Sequence, residues 1–168
     1  MSSTTSIGAV LDSPVGKLGV EVDDDAVHSI SFLGRRSTAP VSAEPAHPLL
    51  RAVRDQLTAF FAGELTAFDL PIKLRGSPFQ RQVWQALLEI PYGYTWTYKQ
   101  VSEHVADPSA NPRTVGAVVG QNPVPIVVPC HRVIGADGTL VGFGGGLDNK
   151  RILLELEARV RIQHEFAP

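Results

Sequence analysis

The sequence predicts an α+β protein in two parts: a small α/β unit over residues 1–76 and a mainly helical unit over residues 77–168. Three observations predict it. Apolar and polar residues alternate in the first part. After Ser77 the apolar residues recur at helical spacing behind matched capping residues. The only cysteine of the 168 residues lies in the second part. Hydrophobic residues make up 43% of the chain and charged residues 19%, as in an ordinary globular protein and unlike a disordered one.

In the first unit, Lys17 to Val22 alternates cleanly and Ala26 to Leu33 less so, with Asp23-Asp24-Asp25 as the turn of a hairpin. Residues 34–48 carry Gly, Ser, Thr and three prolines and form a loop. Leu49, Leu50, Val53, Leu57, Phe60 and Phe61 then mark one face of a helix that stops at Gly63. A short strand is expected from Phe68 to Leu74. No residue of this unit has a chemical signature, so it reads as scaffold.

In the second unit, Ser77-Pro78-Phe79-Gln80 is a capping box with Pro at the first helical position. Phe79, Val83, Trp84, Leu87 and Leu88 form the expected buried stripe, and Pro91 and Gly93 end the helix. Thr97-Tyr98-Lys99-Gln100 opens a second helix to about Ala106. Asn111 caps a third, with Val115, Val118 and Val119 inward, which stops before Asn122-Pro123. Two short helices joined by a turn match the helix-turn-helix pattern, whose second helix enters a DNA groove. Such pairs are also common in proteins that never touch DNA. Arg113 near the start of the third helix opposes the macrodipole, a placement that favours an anionic or base partner. Gly142-Phe143-Gly144-Gly145-Gly146 is a loop that lets backbone approach a flat ligand. Asp148 is expected to cap a last helix with Ile152, Leu153, Leu156 and Val160 inward. Glu157 lies at the edge of that stripe, as readily a surface carboxylate as a buried partner for a histidine.

The segment Val127-Val128-Pro129-Cys130-His131-Arg132-Val133-Ile134 reads as an apolar strand that delivers the cysteine beside a histidine and an arginine. The thiolate is the nucleophilic form, and a neighbouring base or cation lowers the cost of making it. A lone cysteine is more often inert packing, but these neighbours favour a nucleophile. One cysteine excludes an internal disulfide and argues against a structural zinc site. No metal or cofactor is called for. The first residues lack a signal-peptide pattern and no apolar stretch approaches a membrane span, so the chain reads as soluble and cytoplasmic. Net charge is −2, yet residues 73–132 carry six Lys/Arg against three acids. That is a weak positive footprint leading up to Cys130.

Together these residues resemble the O6-alkylguanine-DNA alkyltransferase family. The resemblance runs from Phe79 to about Glu157 and includes Ile90-Pro91-Tyr92-Gly93, Thr97-Tyr98, Arg113-Thr114-Val115-Gly116, Asn122-Pro123, Val128-Pro129-Cys130-His131-Arg132-Val133-Ile134, Gly145-Gly146 and Lys150 through Leu153-Leu154 to Glu157. It implies a ribonuclease-H-like first domain and a winged-helix-like second one. It implies stoichiometric transfer of the alkyl group from O6-alkylguanine, and from O4-alkylthymine, of a flipped-out nucleotide to Cys130. In these terms His131 removes the thiol proton through a water, Glu157 orients the imidazole, Asn122 holds the turn before the cysteine, and Tyr98 donates to the departing base. Arg113 is the finger that fills the vacated place. Thr114, Val115 and Gly116 face the groove, and Lys99 and Arg132 add DNA contacts. Tyr98, Val128, Pro129, Phe143, Gly144 and Gly145 line the substrate pocket.

Implied too are a double-stranded DNA partner, no membrane, and a monomer in solution. Tyr94, Trp96 and Pro112 depart from the family pattern, as does Gly144, whose lack of a side chain predicts a pocket that admits benzyl groups. Two other functions compete: a lesion-binding protein without transfer, which position 130 argues against, and a Cys-His hydrolase, which would leave Arg113 without a role.

Overall fold

The computed structural model describes residues 6–166. The first five residues, on which the expectation of no signal peptide partly rests, and the last two lie outside the described residues. The chain divides into two units, Met1–Lys73 and Leu74–Pro168.

The first unit is an antiparallel meander with one helix. Strands β1 (Ile7–Leu11), β2 (Lys17–Val22) and β3 (Val27–Gly34) lie in that order, with Ile7 opposite Val22 and Val20 opposite Ile30. The alternation buries Leu18, Val20, Val22, Val27 and Ile30, and α1 (Pro48–Phe61) adds Leu50, Val53, Leu57 and Phe60. Asp23 closes the β2–β3 turn, its carboxylate accepting from Asp25 N at 2.7 Å and Ala26 N at 2.8 Å. The expected strand at Phe68–Leu74 is only a single parallel bridge, Val27 to Ile72. Pro71 has no N–H to continue a ladder, so the pairing reduces to Val27 N on Pro71 O and Lys73 N on Val27 O.

The second unit is mostly helical. Ser77 caps α2 (Pro78–Leu87) in a reciprocal box with Gln80. Val83, Trp84, Ala86 and Leu87 face inward, and the Trp84 indole donates to Val118 O at 2.9 Å. Leu88 was expected in that stripe but is 47% exposed. It follows the last helical residue, where the chain leaves the periodicity. Thr97 caps α3 (Tyr98–His104) and Asn111 caps α4 (Pro112–Val119), each again in a capping box. Helices α3 and α4 pack on each other.

Strands β4 (Trp96–Thr97) and β5 (Val133–Ile134) pair in parallel. Helix α5 (Leu147–Phe166) ends the described chain and buries Lys150, Leu153, Leu156, Glu157 and Val160. Asp148 is not its cap. It sits in the first turn, where a negative charge complements the helix dipole.

Of the expected strand over Val127–Ile134 only Val133–Ile134 forms, and the residues just before Cys130 are in no strand. Pro123, Pro125 and Pro129 cannot donate to a ladder, and Ile126 has φ +76°, a left-handed conformation that a β-branched residue resists. Such strain costs about 1–3 kcal/mol and survives because Ile126 is only 1% exposed, enclosed by its neighbours. The cysteine is therefore delivered on a 3₁₀ turn, Cys130–Arg132, that runs directly into β5.

Candidate active site

The site is organised around one buried carboxylate. Glu157, on the inner face of α5, has no exposed surface. It accepts from His131 Nε2 at 2.7 Å, from Arg132 Nε at 2.7 Å and Nη2 at 3.0 Å, and from Gly93 N at 3.2 Å. Burial alone would raise its pKa. The hydrogen bonds from His131 and Arg132, with the charge of the Arg132 guanidinium, more than offset this, and its carboxyl falls to about 2. An ionised carboxylate can only accept, so the His131 Nε2 carries the proton. In the neutral ring that leaves Nδ1 with a free lone pair. Nδ1 is buried and has no hydrogen-bond partner among the described residues. Burial, with Arg132 and Lys150 nearby, lowers the His131 pKa against the pull of Glu157, so the ring rests neutral. A basic nitrogen thus stands ready on the residue next to Cys130.

Cys130 is 7% exposed. Burial pushes its thiol up to about 11, while a hydrogen bond from Asn122, the charge of Lys150 and the N–H groups of Cys130 and His131 act in the opposite direction. Asn122 spans the turn before the cysteine: its Nδ2 donates to Val128 O at 2.8 Å and its Oδ1 accepts from Val124 N at 2.9 Å. The hydroxyl of Tyr98, at the start of α3, donates to Val141 O at 3.2 Å. Its pKa is raised, first by burial and then by the charge of Cys130, so the phenol stays a donor. The Tyr98 ring lies 3.6 Å from where a Cβ on Gly116 would stand, an ordinary van der Waals contact, so α3 and α4 meet here with room for a methyl group. Among the described residues no cluster of His, Cys, Asp or Glu could hold a metal ion.

Two expected DNA contacts are placed elsewhere. Arg132 is 7% exposed. Its guanidinium is taken up by Glu157, by Ile90 O at 2.7 Å and by the face of Tyr92 at 5.5 Å from the ring centroid. It cannot also reach a phosphate. Val115 is wholly buried and packs α4 onto the unit. Arg113 and Lys99 are exposed, and Thr114 and Gly116 are half-buried. The Thr114 hydroxyl is occupied by Ser109 O at 2.8 Å and the cap of α4. Of the expected pocket residues, Val128 and Pro129 are buried, Phe143 and Gly145 half-buried and Gly144 exposed.

Sequence reasoning gave neither Gly93 nor Lys150 a role in the site. For Lys150 a signal existed: it lies three and seven residues before Leu153 and Glu157, on the same helix face.

Fold and site together define a protein in which a single buried cysteine stands next in the chain to a buried histidine paired with a buried glutamate, on a helical unit. The described families narrow this. Residues 78–159 match the 6-O-methylguanine DNA methyltransferase DNA binding domain, and residues 7–74 match the ribonuclease-like domain of the same proteins. A methylated-DNA–protein-cysteine methyltransferase of Mycolicibacterium paratuberculosis is 47% identical over 150 residues, covering 89% of this chain and 90% of its own. One from Methanosarcina acetivorans is 41% identical, covering 89% and 96%. The crystal structure of Mycobacterium tuberculosis O6-methylguanine methyltransferase superposes with a TM-score of 0.80 at 42% identity, over 92% of this chain and 94% of that one. That of the M. tuberculosis protein in complex with DNA gives 0.79 at 44%, over 90% and 92%. The chain belongs to the 6-O-methylguanine DNA methyltransferase family.

Proposed function

We propose that this protein repairs alkylated duplex DNA by moving the alkyl group from O6 of guanine to Cys130, once per molecule. The observation that carries this is the His131–Glu157 pair, which leaves a buried, unpartnered Nδ1 on the residue beside the only cysteine. The Cys130 proton passes to His131 Nδ1 through a water, and Glu157 balances the imidazolium that forms. The sulfur forms a bond to the alkyl carbon as the carbon–O6 bond breaks. The electron pair of that bond goes to the guanine, which Tyr98 stabilises by donation. The product is a thioether, which water does not cleave under cellular conditions, so the cysteine is not regenerated. O4-alkylthymine presents the same kind of leaving group and belongs to the same reading.

The target oxygen lies within the base stack, so the nucleotide must be flipped out, at a cost of about a few kcal/mol that is smaller for a poorly paired base. In this reading α3 and α4 act as the helix-turn-helix, α4 lies in the groove and Arg113 occupies the vacated place. Lys99 and the α4 N-terminus meet phosphates. Among the described residues no helix is long and apolar enough to cross a membrane. A cytoplasmic location, where a lone reactive thiol stays reduced, fits the chemistry.

Intact-protein mass spectrometry after mixing with a duplex carrying one O6-methylguanine tests the reading. A gain of one methylene mapped to Cys130, absent in Cys130→Ala, is expected. No gain with tight lesion binding retained would replace transfer by recognition alone.

A further inference from the structure

Lys150 is a buried cation with no part in the transfer steps above. Its side chain has no exposed surface, and its Nζ donates to Val133 O at 2.6 Å, Val141 O at 3.0 Å and Gly142 O at 3.4 Å. All three protons are thus aimed at backbone carbonyls, and among the described residues no acid pairs with it. A buried ammonium without a carboxylate is costly to keep, and hydrophobic replacements are often tolerated where such a charge is merely structural. Its carbonyls join two places that matter. Val133 opens β5, directly after the 3₁₀ turn of Cys130. Val141 and Gly142 belong to the segment between β5 and α5, which has no helix or strand of its own to hold it.

The Val141 carbonyl accepts twice, from Lys150 and from the Tyr98 hydroxyl at 3.2 Å. Tyr98 has one hydroxyl proton to donate, so using it on a departing base means leaving Val141 O. A carbonyl abandoned by its sole protein donor would lose a hydrogen bond in that exchange. Here a second donor remains.

We propose that Lys150 is a positioning residue for alkyl transfer: it pins the Val141 carbonyl to β5, holds the Tyr98 hydroxyl ready there, and keeps that carbonyl satisfied when Tyr98 turns to the guanine. The inference rests on the transfer reading. Electrostatics run the same way: burial lowers the Lys150 pKa, a charge on Cys130 raises it, and Lys150 in turn favours the thiolate.

The test is a double-mutant cycle on the second-order transfer rate with an O6-methylguanine duplex, using Lys150→Met, Tyr98→Phe and the double variant. Each single change is expected to slow transfer by about tenfold or more, and the double variant to fall within about threefold of the slower single one, because the two residues act as a unit. A Lys150→Met rate equal to wild type overturns the proposal, as do losses that multiply independently. A merely structural lysine would lower the unfolding midpoint without that coupling. If Lys150→Met does not fold, the cycle is run with Lys150→Arg, which keeps charge and donors but presents a planar fork to three carbonyls. The same coupling is expected, and independent losses or a wild-type rate overturn the proposal again. Wild-type protein that takes up no alkyl group would instead overturn the transfer reading beneath it.

Discussion

Replacing Glu157 with glutamine tests how much of the site hangs on one carboxylate. The side-chain shape is kept, but the new amide brings N–H groups against the donors of His131 or Arg132, which now meet at Glu157 at 2.7 Å. At least one donor loses its acceptor, and Arg132 is left as a buried charge without its counter-ion. Removing one partner of a buried ion pair costs about 3–5 kcal/mol. A second route gives a similar figure: a carboxyl held at about 2 instead of 4.5 corresponds to on the order of 3 kcal/mol, at about 1.36 kcal/mol per pKa unit. Urea denaturation of the whole chain, followed by circular dichroism, should show this loss. The transfer rate should fall by about 100-fold or more, the usual scale for a disabled general base. A Glu157→Gln protein within about 1 kcal/mol of wild type that transfers at the wild-type rate would refute the claim that this carboxylate organises the site.

Acid should act on the same groups. His131 is held neutral below its ordinary pKa of 6.5, so the transfer rate should stay flat through pH 6.5 and decline only further down. A half-maximal rate at or above pH 6.5 would contradict it. Stability should fall in two stages, since the unfolded chain binds more protons in both: first as pH drops below about 6.5, where only unfolded His131 is protonated, then from about 4.5 towards 2 as Glu157 loses its advantage. Gly93 has φ +83°, and a Cβ there would stand 2.9 Å from the Arg161 Cβ, so Gly93→Ala should cost at least about 1–2 kcal/mol in urea denaturation. A neutral Gly93→Ala would mean the turn holding the N–H to Glu157 is not constrained. A Cβ at Gly144 would meet nothing within 4 Å. Benzyl transfer from O6-benzylguanine should therefore proceed, and Gly144→Tyr should slow it more than methyl transfer; failure of the benzyl group alone would contradict a roomy pocket.

Much of the helical unit was legible because its helices begin with side chains that bond their own N-termini. Ser77, Thr97 and Asn111 mark three starts, and each cap is present. The first strand was not legible: Ile7–Leu11 contains Gly8 and Ala9, small residues that blur the alternation. The run Val127–Ile134 looked like one strand because its apolar composition does not reveal the left-handed Ile126 before it or the 3₁₀ turn at Cys130–Arg132 that leaves only Val133–Ile134 extended. In the site, the adjacency of Cys130 and His131 was plain from the chain. Glu157 was ambiguous, since an acid at the edge of a helical stripe faces solvent or core with little in the pattern to decide. Arg132 was misplaced for a related reason: a cation beside a nucleophile suggests an anionic partner, and only the fold shows that the anion is Glu157 and not a phosphate. Lys150 was readable in principle, since its register with Leu153 and Glu157 put a charge on a buried face.

The most direct test of the central claim is stoichiometry under excess substrate. The protein is incubated with more O6-methylguanine duplex than acceptor, and both the intact protein mass and the restored guanine are followed to completion. The account predicts one methyl per protein molecule, all of it on Cys130, and an equal amount of guanine restored before the reaction stops. Continued restoration beyond one per molecule, or a methyl group found on any other residue, would contradict it.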